Sequence, residues 1–358
     1  MDALGNSKMN FSTEETPISD PTTSLIVKVW SIFDRHNLGL RLASNEMREI
    51  FQLVNYVSLC GAISLFGIAG NILNIIVFRK QGYADTTNIS LMGLTIADLM
   101  SLLTMLWTSI CYNPLFANSG VPFNSLDLMY LSGGYPHTCF NRITGFITAF
   151  ITFERCLCIA LPLKVKTIIT PHRTRWTIIV IFFFTMAIFS PFYYANRLEW
   201  QNGTILHLVY AKEREAVESV IFYIHSVALQ ALSLLVVIVC TIILVVQLNT
   251  KSKWRSSVTK PGANVESASM KEKRAVKMIA LISTVFIICF MPGSLIFFTM
   301  AYEPEFNFTG DFKNIFFVVW SVAFVLETVN ASVSILIYFN MSSKYHQVVI
   351  QLVYTQPH

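Results

Sequence analysis

The chain contains seven long stretches with little or no charge, and these stretches limit what it can fold into. Four of them carry no Asp, Glu, Lys or Arg, and each exceeds the roughly 20 residues that a membrane-spanning helix needs: 56–78, 176–196, 219–250 and 278–302. Three more carry only one to three charges each: 89–112, 136–161 and 314–343. Only 13% of the 358 residues are charged and 54% are hydrophobic. Soluble domains average about 25% charged residues, so the sequence predicts a membrane protein.

The predicted fold class is an all-α membrane protein, a bundle of seven transmembrane helices followed by a short amphipathic C-terminal helix. The stretches are too long and too evenly apolar for the alternating strands of a transmembrane barrel. Helices also satisfy their own backbone hydrogen bonds in lipid. The predicted domains are an extracellular tail at 1–52, the bundle at 53–341, and a cytoplasmic amphipathic helix with a short tail at 342–358. The absence of an evident internal repeat weighs against a transporter built from paired halves.

The distribution of basic residues predicts the orientation. The connections on one side hold Arg79, Lys80, Arg155, Lys164, Lys166, Arg173, Arg175, Lys251, Lys253, Arg255, Lys260, Lys271, Lys273, Arg274, Lys277 and Lys344. The opposite loops hold only Arg197, Lys212, Arg214 and Lys313. The positive-inside rule therefore places the N-terminus outside and the C-terminus in the cytoplasm of a multi-pass plasma-membrane protein. The basic residues lie in short blocks beside apolar segments, a pattern that indicates membrane topology and no nucleic-acid partner.

Sequons for N-glycosylation agree with this orientation. Asn10, Asn202 and Asn307 begin such sequons, and all three fall on the predicted outer side. Three further matches, at Asn88, Asn330 and Asn340, fall in the membrane or the cytoplasm and are interpreted as chance. The first 50 residues lack a basic start followed by an apolar run, so we expect no cleavable signal peptide. The basic segment 251–277 is predicted to be a flexible cytoplasmic loop.

Polar residues follow one face of two of the predicted helices. On the third helix they are His137, Asn141, Thr144, Thr148 and Arg155, and on the seventh they are Glu327, Asn330, Ser334 and Tyr338. Their spacing of three, four or seven residues keeps each set on one face. Such faces line the interior of a bundle, where they bind a ligand or hydrogen-bond between helices for packing alone.

Charged residues at membrane depth are the strongest candidates for function. Asp98 must be protonated, paired or bound to a cation, and Thr144, Asn330 and Ser334 (with Asn71) could complete an oxygen-lined sodium site. Arg142 lies off the stripe of its helix, so either a structural pairing near His225, an upward snorkel or a ligand contact explains it. Glu327 is the first candidate for a ligand or switch residue. The ligand-binding candidates are therefore His137, Asn141, Arg142, His225 and Glu327.

Four motifs in order resemble those of the rhodopsin-like (family 1) G-protein-coupled receptors. They are Gly70-Asn71 in the first span, the run from Leu94 to Leu99 that contains Asp98, the triplet Glu154-Arg155-Cys156 followed by Pro162, and the run from Phe286 to Pro292. The resemblance covers about 56–354. Within this family, the amino-acid sequence at 153–166, 197–200 and 341–344 is most similar to that of invertebrate, especially molluscan, chemosensory-type or peptide-like receptors.

The resemblance implies roles for residues at the inner half of the bundle. Glu154, Arg155 and Glu272 match the ionic lock that governs coupling to a heterotrimeric G protein, although two surface charges on basic loops are the alternative. Phe286, Phe290, Pro292 and Tyr338 match the activation switch, with the proline as a hinge. The chain departs from the family in several places: Cys156 replaces a tyrosine, Phe290 replaces a tryptophan, Ser334 begins the motif that normally starts Asn-Pro, and the fifth span has no proline.

The family disulfide between the third span and the second outer loop has no counterpart, because 195–218 contains no cysteine. Cys111 and Cys139, both near the outer ends of their spans, are a hypothetical replacement pair, and free buried thiols are the alternative.

The same resemblance narrows the ligand. No lysine occurs in 314–343, so no retinal is expected, and His137 at the amine-binding position disfavours biogenic amines. The outer loops are acidic, which either steers a cationic ligand or reflects solvated surface. The sequence predicts a receptor for an unknown extracellular ligand, a small chemosensory molecule or a peptide, with no cofactor beyond a sodium ion. A polytopic transporter or channel is the alternative, and no enzymatic constellation is apparent.

Overall fold

The computed structural model describes residues 44–161, 164–201, 205–256 and 263–354, with the backbone alone at 166, 201, 251–256, 263–273 and 353–354. Seven of its helices are long and apolar enough to cross a membrane. They are α1 (Asn45–Gln81), α2 (Thr86–Tyr112), α3 (Ser125–Ala160), α4 (Pro171–Ala195), α5 (Arg214–Ser256), α6 (Ala263–Tyr302) and α7 (Lys313–Met341). An eighth helix, α8 (Ser343–Tyr354), follows. One-turn helices occupy Pro114–Ala117 and Val165–Ile168. The predicted seven-helix membrane fold is confirmed.

Several helices extend beyond the apolar stretches that predict them. Helix α1 begins at Asn45, where Ser44 caps it by accepting a hydrogen bond from the amide of Met47. The end of the bundle that the sequence predicts to be extracellular is called the outer end, and the opposite end is called the inner end. Three segments near the outer end have the wider π-helical form: Leu53–Cys60, Tyr130–Gly134 and Phe222–Leu229. The prediction of a flexible loop at 251–277 is wrong over most of that range. Helix α5 continues to Ser256 and α6 begins at Ala263, because 263–277 has no Gly or Pro and is rich in Ala, Glu, Met and Lys.

Helix α3 lies at the centre of the bundle, in contact with α2, α4, α5 and α6. The other helices surround it in the order α1, α2, α4, α5, α6 and α7, and α7 closes the ring by packing on α1 and α2. The inner half is filled by one large apolar cluster that includes Val77, Leu94, Ile147, Ile279 and Ile337. A side chain on α3 therefore reaches most of the bundle without leaving its interior.

A small residue lets α1 approach α7 closely. A Cβ atom on Gly67 would lie 2.2 Å from Ser332 Oγ and 2.7 Å from Leu102 Cδ1, so only glycine fits there. Ser332 Oγ donates to the carbonyl of Ile63, and Asn71 Nδ2 donates to the carbonyl of Ala331. Close approach and interhelical hydrogen bonds hold helices together in lipid, where the hydrophobic effect between helices is weak.

The outer connection between α4 and α5 is an antiparallel hairpin of β1 (Asn196–Gln201) and β2 (Ile205–Tyr210). Strand β2 is fixed to the α2–α3 connection by backbone hydrogen bonds from Leu206 to Pro122 (2.9 Å) and from Asn124 to Leu206 (3.2 Å). Asp127 accepts from the amide of Leu208 and lies 3.7 Å from His207. These contacts connect the second outer loop to the outer end of α3 without a disulfide.

Helix α8 is amphipathic, as predicted, and its apolar side packs on the inner end of the bundle. Val348, Val349 and Leu352 contact the main apolar cluster, and Tyr345 is buried within it. The Tyr345 hydroxyl donates to Asn74 Oδ1 at 2.6 Å. Burial raises the pKa of Tyr345 to about 12, so the hydroxyl keeps its proton at neutral pH. This bond ties α8 to α1.

Candidate functional site

The outer half of the bundle contains an acidic cluster, formed by Ser101 of α2, His137 and Asn141 of α3, and Glu327 of α7. Asn141 Nδ2 donates to Glu327 Oε2 at 2.6 Å, and the same oxygen lies 3.5 Å from His137 Nε2. Ser101 Oγ donates to Asn141 Oδ1 at 2.7 Å and lies 3.1 Å from His137 Nδ1. The structure thus brings together three of the five predicted ligand-binding candidates.

The acidic cluster is buried and well provided with hydrogen-bond partners. Glu327 is only 5% exposed, and no polar side-chain atom of its four members is buried without a partner among the described residues. Glu327 also reaches α6, because a Cβ atom on Gly293 would lie 3.3 Å from Glu327 Oε1. The Glu327 carboxylate therefore contacts two other helices, α3 and α6, and it is connected to α2 through Asn141 and Ser101.

The other two candidates lie on the far side of α3 in a cationic cluster, which consists of Arg142, His225, Gln230, Ser294 and Phe297. Arg142 Nη1 donates to Gln230 Oε1, and its guanidinium carbon lies 5.0 Å from the centre of the Phe297 ring. Gln230 Nε2 donates in turn to Ser294 Oγ at 3.2 Å. The prediction of a structural pairing for Arg142 near His225 is confirmed in part. The hydrogen-bond partner of Arg142 lies on α5, the helix that carries His225, but this partner is Gln230.

Asp98 lies midway along α2, facing α3 and a small cavity. Thr144 Oγ1 donates to Asp98 Oδ1 at 2.8 Å. Asp98, Thr148, Asn330 and Ser334 are among the residues that line a cavity of about 10 Å³, room for roughly one water molecule. Asn71 does not line this cavity, but its Oδ1 accepts a hydrogen bond from the cavity-lining Ser334 at 3.5 Å. Carboxylate, amide and hydroxyl oxygens around so small a cavity suit one hard monovalent cation.

At the inner mouth, Glu154 and Arg155 form an ion pair within α3. Arg155 Nη2 lies 2.8 Å from Glu154 Oε1. Glu154 is fully buried and also accepts hydrogen bonds from two α2 hydroxyls, Thr86 at 2.5 Å and Ser90 at 3.3 Å. Glu272, the predicted third member of the lock, lies on α6, and its side chain is outside the part of the chain that the structure describes.

The predicted switch residues lie in the interior between α3, α6 and α7. Phe286 and Phe290 stack with ring centres 4.3 Å apart, next to Gly145 of α3, where a Cβ atom would lie 3.3 Å from Phe286. Pro292 lies within α6, which continues to Tyr302. Tyr338 is buried against Phe78, with ring centres 5.2 Å apart. Whether these residues move on activation stays a prediction.

The hypothetical disulfide between Cys111 and Cys139 is wrong, because both residues are free thiols. Ser101 contacts His137, so the part of α3 around Cys139 is level with the part of α2 around Ser101. Cys111 lies ten residues further out on α2, which corresponds to roughly 15 Å along the helix axis. Backbone bonding between β2 and the α2–α3 connection takes the structural place of a disulfide.

Of the predicted glycosylation sites, Asn10 and Asn202 lie outside the described residues. Asn307 lies in the α6–α7 connection, where its Oδ1 accepts from the amides of Thr309 (2.7 Å) and Gly310 (2.8 Å). This turn is at the same end of the bundle as the β1–β2 hairpin, since both follow helices that run in the same direction. That this end of the bundle is extracellular and that Asn307 carries a glycan stay predictions.

Sequence reasoning missed the neutral partners of the buried charges. Ser101, Gln230 and Ser294 complete the two outer clusters, and Thr86 and Ser90 hold Glu154. Gln230 had a detectable signal, because it is an isolated amide in the uncharged stretch 219–250. The serines and threonines had none, since such residues are common in membrane helices and usually bond to their own helix.

A seven-helix bundle with buried polar clusters in its outer half and a Glu-Arg pair at its inner mouth has the architecture of a G-protein-coupled receptor. The model of the serpentine type 7TM GPCR chemoreceptor family Srw matches residues 56–356, and the chain belongs to this family. The match covers the whole bundle and α8.

Curated receptors are similar over most of the same region. Growth hormone secretagogue receptor type 1 of Homo sapiens is 27% identical over 87% of this chain and 85% of its own length. Galanin receptor type 2 of Homo sapiens is 24% identical over 64% of this chain and 56% of its own length. Cysteinyl leukotriene receptor 1 of Cavia porcellus is 25% identical over 66% of each chain. With the seven spans, these matches identify the protein as a ligand-activated, multi-pass G-protein-coupled receptor, in preference to the transporter or channel.

Proposed function

We propose that an extracellular ligand, a small chemosensory molecule or a peptide, acts on the outer half of the bundle and thereby opens the inner mouth to a heterotrimeric G protein. The observation that carries the proposal is that Glu327 and Arg155 both act through α3. Glu327 bonds to Asn141 of α3 and contacts α6 at Gly293, and Arg155 lies on the same α3 helix fourteen residues further in. A ligand that rearranges the acidic cluster therefore changes how α3 packs on α6.

The movable element in this proposal is the contact between α3 and α6. Phe286 and Phe290 fill the space beside Gly145, and Thr152 Oγ1 lies 2.8 Å from Ser283 Oγ one layer further in. Separating the helices costs this hydroxyl contact and exposes apolar side chains that a G protein can cover. Two packings that differ by a few contacts are the usual basis of a switch.

The lock remains part of the proposal. In it, Glu272 of α6 joins the Glu154–Arg155 pair in the resting receptor, and breaking that contact frees the inner mouth. Glu272→Ala is expected to raise basal signalling, with Glu154→Gln as the companion variant that frees Arg155 from the other side. An unchanged basal rate at equal surface expression would remove Glu272 from the lock.

We also propose that a sodium ion binds beside Asp98 and that the N-terminus is extracellular. Asp98, Asn330 and Ser334 line one cavity, and Thr144 fixes the carboxylate. The orientation is supported by the basic inner connections and by the sequons at Asn10, Asn202 and Asn307. Epitope tags at the two termini, stained in intact and in permeabilised cells, test it. Staining of a C-terminal tag on intact cells would refute the orientation.

The function is tested by screening small peptides and waterborne odorants on cells that express the receptor, with calcium and cyclic AMP as readouts. For an active compound, Glu327→Gln is the informative variant, because it removes the charge but keeps an oxygen for Asn141. A loss of potency of tenfold or more corresponds to about 1.4 kcal/mol and supports a ligand contact through the acidic cluster. Unchanged potency with normal surface expression would place the ligand elsewhere.

A further inference from the structure

The cationic cluster contains a buried charge that the described chain does not neutralise. Arg142 is 3% exposed, and among the described residues it forms no ion pair with a carboxylate. Glu327 acts on it only through its field, without an ion-pair contact. Its partners are a neutral amide and an aromatic ring, and its Nε is buried with no hydrogen-bond acceptor in this part of the chain. A buried charge without a counter-charge costs several kcal/mol.

A second observation points to the same place. His225 of α5 is 0% exposed, and neither of its ring nitrogens has a hydrogen-bond partner among the described residues. Its ring lies edge-on to Phe189, with ring centres 3.9 Å apart, and it is within the field of Arg142. Buried polar groups without partners are rare in native proteins, because each costs roughly 1–3 kcal/mol. The guanidinium of Arg142 and the imidazole of His225 therefore both carry buried nitrogens that have no hydrogen-bond partner in the described part of the chain.

The surroundings indicate the rest of the ligand. Phe297 lies one turn outward of Ser294 on α6, and its ring is 5.9 Å from Phe222 and 5.0 Å from Trp320. An acid that reaches Arg142 from outside therefore passes between aromatic rings. Binding sites of this kind combine an apolar wall with a few polar groups that fix orientation.

The acidic outer loops do not oppose such a ligand as strongly as their composition suggests. Asp127 lies 3.7 Å from His207, and Glu218 pairs with Arg214 at 2.9 Å. Both carboxylates also hold loop structure, through the amide of Leu208 and the side chain of Asn196. Arg214 partly neutralises the field of Glu218, and salt screens exposed charges beyond about 8–10 Å.

We propose that the cationic cluster binds the carboxylate of the activating ligand, a monocarboxylic acid with an apolar or aromatic body. Arg142 supplies the counter-charge through its guanidinium, and His225 and Gln230 supply further hydrogen bonds. A planar guanidinium suits a carboxylate because it donates two parallel hydrogen bonds. This inference rests on the proposed function, since it names the chemical class of ligand for that receptor.

The first test needs no ligand. Wild-type receptor, Arg142→Met and Arg142→Lys are purified and unfolded by heat, with a thiol-reactive dye that reports exposure of the buried cysteines. We expect Arg142→Met to raise the melting temperature by a few degrees, because it removes an unpaired buried charge, and Arg142→Lys to give no such rise. A lower melting temperature for Arg142→Met would make the guanidinium a packing group and overturn the proposal. His225→Phe, which removes two unpartnered nitrogens beside Phe189, is expected to raise the melting temperature independently.

The second test uses matched compounds. Phenylacetate, indole-3-acetate and octanoate are compared with their primary amides, and tripeptides ending in phenylalanine are compared with their C-terminally amidated forms. We expect at least one acid to stabilise and activate the wild-type receptor while its amide does not, with about a hundredfold loss of potency in Arg142→Met. Activity among the free acids indicates a small organic ligand, and activity among the peptides indicates a peptide C-terminus.

If every acid acts no better than its amide, or if the acid response survives unchanged in Arg142→Met, the proposal is wrong. These outcomes are separate from a failure of the proposed function. A receptor whose Glu272→Ala variant activates a G protein, but which no acid stabilises, remains a receptor with a different ligand.

Discussion

Arg142 and Arg155 lie on the same helix, α3, but only Arg155 has a carboxylate as an ion-pair partner among the described residues. Arg155 is paired at 2.8 Å with Glu154, and two hydroxyls of α2 hold that carboxylate in place. Arg142 has an amide and an aromatic ring as partners. The charge of Arg155 is thus neutralised by the chain itself, at the end where we propose that the G protein binds. The charge of Arg142 is only partly compensated, in the half of the bundle where we propose that the ligand binds. A buried charge that lacks a counter-charge is better evidence for a binding region than the presence of a charged residue alone.

The largest effect is expected from the same substitution at the two arginines. Arg155→Met leaves the fully buried Glu154 with two hydroxyls but no cation, which is expected to lower the free energy of unfolding by about 3 kcal/mol. Arg142→Met is expected to change it in the opposite direction. Thermal unfolding of both variants under identical conditions measures the contrast. Shifts of the same sign would show that the two arginines do not differ in this way.

The acidic cluster sharpens the comparison, because it is a buried charge with its partners present. Glu327→Ala removes the carboxylate that accepts from Asn141 Nδ2, which keeps only its contact with His137 Nε2, and is expected to destabilise the receptor by about 1–3 kcal/mol. Glu327→Gln retains an oxygen for Asn141 and should lose clearly less. The two melting temperatures decide the point. Equal losses would mean that the negative charge, and not the hydrogen-bond acceptor, holds the cluster together.

Asp98 lies between the levels of the two arginines along the bundle axis. Its charge offers a third comparison, because we propose that a sodium ion neutralises it. Replacing sodium with choline at constant ionic strength is expected to lower the stability of wild-type receptor. The loss is roughly 1.4 kcal/mol if the sodium concentration is ten times the dissociation constant. Asp98→Asn should not respond to the exchange. A response of equal size in Asp98→Asn would place the sodium effect elsewhere.

The smallest effect concerns an uncharged contact at the inner end. Tyr345→Phe removes the hydrogen bond to Asn74 and is expected to cost about 1 kcal/mol. Tyr302→Phe is the matched control, since Tyr302 is 85% exposed at the outer end of α6. The difference between the two melting temperatures measures how firmly α8 is attached to α1. If both variants unfold with the wild type, this bond contributes nothing to stability.

Much of the fold could be predicted, because lipid limits the choices so strongly. Length and hydropathy predicted all seven spans, and helical spacing predicted the buried faces of α3 and α7. Helix ends were less predictable. Helix α1 begins at Asn45 and α6 begins at Ala263, and the first turns of both helices are polar. These turns lie outside the apolar stretches, so hydropathy does not indicate where the helices begin.

The candidate site was predicted unevenly for a physical reason. Charged residues in membrane helices are conspicuous, so Asp98, Arg142, Glu154, Arg155 and Glu327 could be identified from their position in the chain. Which partner each one has depends on helix rotation and depth, and these are set by packing. The expected neighbour of Arg142 was His225, but its hydrogen bond goes to Gln230. The expected partner of Cys139 was Cys111, which lies several turns further out.

The sequence by itself determined that this chain crosses a bilayer seven times with polar faces turned inward, because no other arrangement satisfies so many apolar residues and backbone groups in lipid. Only the tertiary structure decided which buried charges are matched. It placed Asn141 and His137 on Glu327, and Thr86 and Ser90 on Glu154. It left Arg142 without an ion pair and both ring nitrogens of His225 without a hydrogen-bond partner among the described residues. Neutralisation of a buried charge depends on distances of a few ångströms between helices, and such distances follow from packing and are not encoded in any one helix.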